Sequence, residues 1–440
     1  MIRRDQPRPS DDVLDLTAIA LGAAISLVVT GVGLSLWFTL SPGPARDVPA
    51  LPPAAIPTAT VEAVPAAGAD RLFGVVARMD GSEIRGYIRW NGREASLADL
   101  LPAVAPGGSA LAGVRFGHID RMEPTGASGI RATLRSGQVV DVDAAPVGPA
   151  GVGSSATDGA VHVEVTLADG SIESVPWRAV RSVEFSGDGR TFAPPSARLH
   201  GTVRTASGQS FTGYLLWHGS EGLATDRVGD EVEGTGGVPF AEVEAVHRDR
   251  PDALVVETTD GGAVSIRAEA LARPGLGEIL VADPFLGTVA VPWAAFRGLR
   301  LHEPDAEAPG RNAFDGGAPL LGAVVTRDGP TLSGPIRWDM DEDRTWQTLD
   351  GQDRGLRFSI ELAHVASVRA FRQGAEVTLR DGRTFELGAT NDVNWSNRGI
   401  QVGAGADAVV VPWKMFVSAR FDAPSPEAFE PVAPAVLPPG

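Results

Sequence analysis

The chain has 440 residues, enough for several domains at roughly 100–200 residues each, and 55 acidic against 38 basic residues leave a formal charge of −17. Lys414 is the single lysine, so the clustered cations that neutralise a phosphate backbone are missing and nucleic acid is excluded as a partner. No cysteine is present, which removes disulfides, thiolate metal sites, iron–sulfur clusters and cysteine nucleophiles.

Residues 1–12 carry Arg3, Arg4 and Arg8 ahead of an apolar segment at 13–40. Within it Leu16 to Leu40 runs for 25 residues without a charge, long enough to span a hydrocarbon core of about 30 Å. With the arginines before it and Trp37 near its far end, the positive-inside rule leaves the N-terminus in the cytoplasm and sends the rest out. The run exceeds the apolar core of a signal peptide and no A-x-A site follows it directly, so a retained anchor in a bacterial inner membrane is expected, with the C-terminal domains in the periplasm. Residues 41–70 are dominated by proline and alanine and keep no hydrophobic period, the composition of an extended, semi-rigid tether.

Three later segments align without a gap: LFGVVARMDGSEIRGYIRW from Leu72, LHGTVRTASGQSFTGYLLW from Leu199 and LLGAVVTRDGPTLSGPIRW from Leu320. Residues 71–187, 198–303 and 320–422 are accordingly read as three β repeats, with a linker at 304–319 and a Pro-rich tail at 423–440. Val203, Thr205, Phe211, Leu215 and Trp217 share one parity, which places them on one face of a pleated strand pair. A central Asp-Gly or Ser-Gly supplies the turn of a tight hairpin, and Gly213 with its equivalents marks a bend or a close backbone approach in the second strand.

A finer motif recurs six times: VRFGHIDRM (Val114), VPWRAVRSV (Val175), VPFAEVEAV (Val238), VPWAAFRGL (Val291), IELAHVASV (Ile360) and VPWKMFVSA (Val411). Apolar residues two apart and then three apart predict a strand, one 3₁₀ turn and a second strand. Hairpin, strand, 3₁₀ turn and strand resembles the closing part of SH3-like small β-barrels, the Sm-like and PRC types among them, over most of Leu72 to Phe421. The larger unit also looks like repeats of uncharacterised exported bacterial proteins. The resemblance implies a mainly β fold and brings no activity with it. Barrels of about 60 residues are only marginally stable alone, so they are expected to pack in pairs, giving three double-barrel repeats of SH3-like small β-barrels after the N-terminal transmembrane helix. Trp293 and Phe296 are expected in a barrel core, and the tryptophans at repeat-equivalent positions are expected to pack rather than to stack on a ligand.

Two polar stretches stand out as candidate sites. In WDMDEDRTWQTLD, Asp339, Asp341 and Asp343 alternate as Ca²⁺ ligands do, although Arg344 replaces the turn glycine of an EF-hand loop and Asp350 its bidentate glutamate. In ATNDVNWSNRGI, Asn391, Asp392, Asn394 and Asn397 flank Trp395, a composition that suits a sugar and equally suits side chains closing their own turns. The seven histidines form no H-E-x-x-H pair, and neither G-x-S-x-G nor a G-K-[ST] phosphate loop occurs. The expectation is a non-enzymatic, cofactor-free chain that meets the membrane through its N-terminal helix and other membrane or envelope proteins through its β repeats. The alternative is a carbohydrate or peptidoglycan binder, possible calcium assistance included, working through the third repeat.

Overall fold

The computed structural model describes residues 68–423 except 69, 105–112, 145–146, 149–150, 153–160, 188–191, 193–195, 220, 230–235, 268–276 and 305–308. The expected anchor at 13–40, nearly all of the tether and of the tail, and much of the insertion at 145–160 lie outside the described residues. Among the described residues no helix is long and apolar enough to cross a membrane. Their twenty-six strands of three residues or more are joined by hairpins and single 3₁₀ turns.

The first repeat holds β1 (Phe73–Arg78), β2 (Glu83–Trp90), β3 (Ile119–Pro124), β4 (Gly129–Leu134), β5 (Val139–Ala144), β6 (His162–Thr166), β7 (Ile172–Pro176) and β8 (Val180–Phe185). The second holds β9 (His200–Thr205), β10 (Ser210–Leu216), β11 (Val243–Arg250), β12 (Ala253–Thr258), β13 (Ala263–Arg267), β14 (Glu278–Asp283), β15 (Gly287–Pro292) and β16 (Phe296–Leu301). The third holds β17 (Leu321–Thr326), β18 (Leu332–Arg337), β19 (Thr348–Asp353), β20 (Leu356–Glu361), β21 (Val365–Phe371), β22 (Gly374–Leu379), β23 (Thr384–Leu387), β24 (Ile400–Val402), β25 (Val409–Val411) and β26 (Phe416–Phe421).

One strand order recurs: β7-β6-β2-β1-β8-β3-β4-β5, then β15-β14-β10-β9-β16-β11-β12-β13, then β25-β24-β18-β17-β26-β21-β22-β23. β7 and β8 stand four places apart in this order, about 19 Å in a flat sheet at roughly 4.8 Å per strand. Only Trp177–Ala179, a single 3₁₀ turn, connects them, and a rise of about 2 Å per residue cannot cover that gap. The sheet must therefore curl until the end of β7 lies beside the start of β8. The six-fold motif is what makes the corner. Its apolar positions, such as Val175, Trp177, Val180 and Val183, are buried in every copy except at Val238, which is half-buried.

The two halves of each repeat belong to one hydrogen-bonded sheet. β8 bonds to β1 on one side and β3 on the other, with Val183 opposite both Val76 and Met122. Leu299 repeats this between Val203 and Val246, and Ala419 between Val324 and Val368. A half of about 60 residues is only marginally stable by itself, and a shared strand gives both halves a common core. The first and last strands of a repeat also run close together. A Cβ on Gly74, Gly201 or Gly322 would lie 2.0, 2.4 or 2.1 Å from the carbonyl oxygen of Glu184, Arg300 or Arg420, so only glycine fits there.

Each core centres on a pair of repeat-equivalent tryptophans in edge-to-face contact, Trp90 with Trp177, Trp217 with Trp293 and Trp338 with Trp413. All six are buried, as packing residues should be. Repeats two and three share one continuous core, whereas the first keeps its own, sealed by Phe314 and Trp346. The sharing has a visible cause: the β19–β20 hairpin leaves its own repeat and adds to the edge of β15, extending the second sheet to ten strands. Phe358 on β20 then meets Phe211 on β10 with ring centroids 5.8 Å apart.

Candidate functional site

The two sequence-predicted clusters of the third repeat meet in one network. Asp339 (φ 44°) and Met340 (φ 70°) occupy left-handed positions, and the Trp338 N–H donates to the Glu342 carbonyl at 2.7 Å, closing a tight hairpin. This turns the Asp339 carboxylate wholly inward. There it accepts from the Asn391 amide and the Arg398 backbone N–H, and from Arg398 Nε and Nη2 at 3.1 and 2.8 Å. Arg398 also pairs with Asp341. Its guanidinium thus stands between the two carboxylates that were expected to share a calcium ion, while Asp343 turns away to Arg337 and Arg344. Among the described residues no group of three or more His, Asp or Glu side chains is arranged to hold a metal. Asp339 and Asp341 are thus paired with a cation supplied by the chain 59 residues downstream.

Of the predicted ligand-binding residues, Asp392 and Asn397 are buried, Asn394 is half-buried, and Asn391 and Trp395 are exposed. Asp392 Oδ2 accepts the Asp350 N–H at 2.6 Å, and the Asp392 carbonyl accepts Trp338 Nε1 at 2.9 Å. Burial, with the charges of Asp350, Asp339 and Asp341 behind it, pushes the Asp392 carboxyl up to about 7. Asn394 Oδ1 accepts the Ser396 N–H and Asn397 Oδ1 the Gly399 N–H, each closing its own turn. Trp395 is left 62% exposed on the outside of the loop.

A second site escaped the sequence analysis. A cavity of about 380 Å³ lies where the three repeats converge. The first contributes Glu94 and Ala98 to Pro102, the second Tyr214, His218 and faces of β14 and β15, the third Asp350, Phe358 and Thr390. Two devices build its rim. Trp90, Trp217 and Trp338 are each followed four residues later by a glutamate, Glu94, Glu221 or Glu342, bridged back to the tryptophan across a tight turn. Asp99 Oδ2 then accepts the N–H groups of Ala95 and Ser96, both at 2.9 Å, as Asp226 and Gln347 do at the matching positions. Across the boundary Arg198 donates to Asp99 Oδ1 at 3.1 Å and lies 4.1 Å over the Tyr214 ring.

Glu94 is buried and its Oε2 has no hydrogen-bond partner. Burial, reinforced by the Asp99 charge, pushes its carboxyl up to about 8 against the pull of a backbone hydrogen bond, Arg93 and Arg89. Asp350 Oδ1 is likewise without a partner; burial raises this carboxyl too, although the hydroxyls of Ser359 and Thr348 oppose it. Apolar walls with a few polar groups converging on them are the makeup of a binding pocket. The thrice-repeated W-x-x-x-E spacing was the sequence signal that could have found Glu94.

No protein-family model matches the sequence, and no curated protein matches it. Among solved structures the chain is similar to virginiamycin B lyase from Staphylococcus aureus, over 74% of this chain and 82% of that one, at 9% identity and a TM-score of 0.11. A likeness this slight carries no argument about fold or chemistry.

Proposed function

We propose that the chain is a non-enzymatic, single-pass membrane protein of the bacterial inner membrane whose periplasmic β repeats, similar to SH3-like small barrels, serve as an interaction or structural subunit of a membrane or envelope complex. One observation carries the reading: the edge of β15 has accepted a strand from the neighbouring repeat, while among the described residues the equivalent edges, β7 and β25, stand open at the ends of their sheets. Ile172 on β7 is 66% exposed, and Val409 and Val410 on β25 are 46% and 48% exposed. Exposed strands with unpaired backbone groups favour addition of a partner strand. The test is a pulldown from mildly solubilised native membranes through a C-terminal tag. A fixed, stoichiometric set of membrane proteins supports the subunit reading, and a chain that emerges alone overturns it. An alkaline phosphatase fused after Gly440 checks orientation: activity supports export, and its absence beside a fluorescent cytoplasmic fusion counts against it.

A second reading, a carbohydrate binder acting through the third repeat, is favoured by Trp395, the one tryptophan among the described residues that is exposed. It predicts that Trp395→Ala abolishes retention on a glycan array while the fold persists; retention equal to wild type would remove the site.

A further inference from the structure

We infer that the cavity at the junction of the three repeats is a binding site for a small organic amine, its ammonium group held by Glu94 and its apolar body by the surrounding walls. The site is built rather than incidental. Glu94 is buried and lines the cavity, and its Oε2 has no hydrogen-bond partner. A buried polar atom left unsatisfied is uncommon in a folded protein and asks for a donor. Asp350, from another repeat, also lines the cavity, and its buried Oδ1 likewise has no hydrogen-bond partner.

The charge inventory selects a cation. Glu94, Asp99, Glu278 and Asp350 line the cavity against Arg93, Arg357 and the imidazole of His218. Arg357 is committed to Glu278 through two hydrogen bonds of 2.6 and 2.5 Å, and Asp99 is committed to Arg198. What remains is Arg93 and two carboxyl groups that outnumber it once their protons have left, a set that suits a ligand bringing its own positive charge. Leu100, Leu216, Leu280 and Phe358 supply the hydrocarbon wall. A volume of about 380 Å³ equals that of about a dozen waters at roughly 30 Å³ each, room for a single-ring amine.

Binding is coupled to a proton. Glu94, facing Asp99, Arg93 and Arg89, holds a proton near neutrality, and an ammonium ligand requires the carboxylate. The proton leaves to solvent as the amine enters, so affinity rises up to about pH 8, levels off, and falls again as the amine itself loses its proton at about pH 10. This proposal does not depend on the membrane-subunit reading, and a failed pulldown leaves it standing.

The test is calorimetry of the full chain in detergent with benzylamine, which stays charged at neutral pH as aliphatic amines do. Benzyl alcohol is the neutral control of the same shape. Titrations at pH about 7 in two buffers of different ionisation enthalpy count the protons. The expected result is saturable binding of benzylamine, release of close to one proton, and a loss of about tenfold or more in Glu94→Gln. Benzyl alcohol binding as tightly as the amine overturns the proposal, as does amine binding unchanged in Glu94→Gln or no saturation by about 10 mM. Should Glu94→Gln fail to fold, the proton count on the unaltered chain decides: binding without proton release overturns it.

Discussion

Glu94 is a carboxyl group placed where a negative charge is poorly solvated, and its ordinary value of 4.5 rises to about 8, by burial first and the Asp99 charge after it. Glu342, at about 10, follows the same pattern with burial leading and Asp392 next. Each holds a proton in the fold that it loses when unfolded. The stability it adds is full below about pH 4.5 and drains away as the pH climbs to its folded value. Glu361 has the opposite sign: burial alone would raise it, but His118 and Arg115 bring it down to about 2. Its contribution is full above about pH 4.5 and is lost as the pH falls toward 2. Thermal midpoints should therefore peak around pH 5 and fall toward about pH 9 and about pH 3. Glu94→Gln should narrow the drop on the alkaline side; a melting profile identical to wild type would mean that Glu94 is ionised in the fold. Arg398 offers a second check. It is the cation facing the fully buried Asp339, and Arg398→Gln should cost about 2–4 kcal/mol in urea denaturation by stranding that charge. A loss below about 0.5 kcal/mol would show that neutral donors suffice. Calcium should leave the unaltered chain's melting temperature where it was, since the guanidinium already bridges Asp339 and Asp341.

The repeated strand pair β9 and β16 shows what glycine does in this architecture. Alanine at 201 would put its Cβ 2.4 Å from the Arg300 carbonyl oxygen, a backbone atom that cannot step aside cheaply. Gly201→Ala should lose about 1–3 kcal/mol by chemical denaturation, and an unaffected midpoint would mean that the two strands spread without cost. The position was legible in the chain because glycine recurs there three times, as were the hairpins and the strand, turn, strand corners, whose apolar spacing fixes which side chains go inward. The inward parity of Val203, Thr205, Phe211, Leu215 and Trp217 holds, all five being buried. What could not be read were pairings between distant segments. IELAHVASV resembles its sister motifs, yet in the third repeat its first strand lengthens into β20 and leaves with β19 for the second repeat. Nothing periodic marks that choice. The sharing of β8 between both halves is of the same kind, as is the meeting of Asp339 with Arg398. The candidate loop at 391–399 was found, but which of its side chains support the turn and which face out depends on contacts with 338–350.

The three repeats are not joined alike, and that asymmetry should govern how the protein opens. The first repeat meets the third through a buried polar contact: the Gly316 N–H donates to His118 Nδ1 at 3.0 Å, and His118 Nε2 lies 2.9 Å from Glu361 Oε1. Arg115 Nε stands 3.1 Å from the other oxygen of Glu361. Trp346 of the third repeat also packs into the first core, but among the described residues no strand pairs across this junction, so one body can separate from the other without tearing a sheet. The second and third repeats share both a sheet and a core, so neither can open while the other keeps its packing. Phe358 is the joint: it is buried, sits on β20, and touches Phe211 of the second repeat and Phe385 of the third. Phe358→Ala should therefore cost about 3–5 kcal/mol, and the loss should appear in both repeats at once. Native-state hydrogen exchange resolves this, because amides belonging to one cooperative unit lose protection together. Amides of β10 and β22 should fall by the same free energy, while those of β4 in the separately cored first repeat keep their wild-type protection. If protection were lost in β22 alone, the second and third repeats would be independent domains despite the strand they exchange.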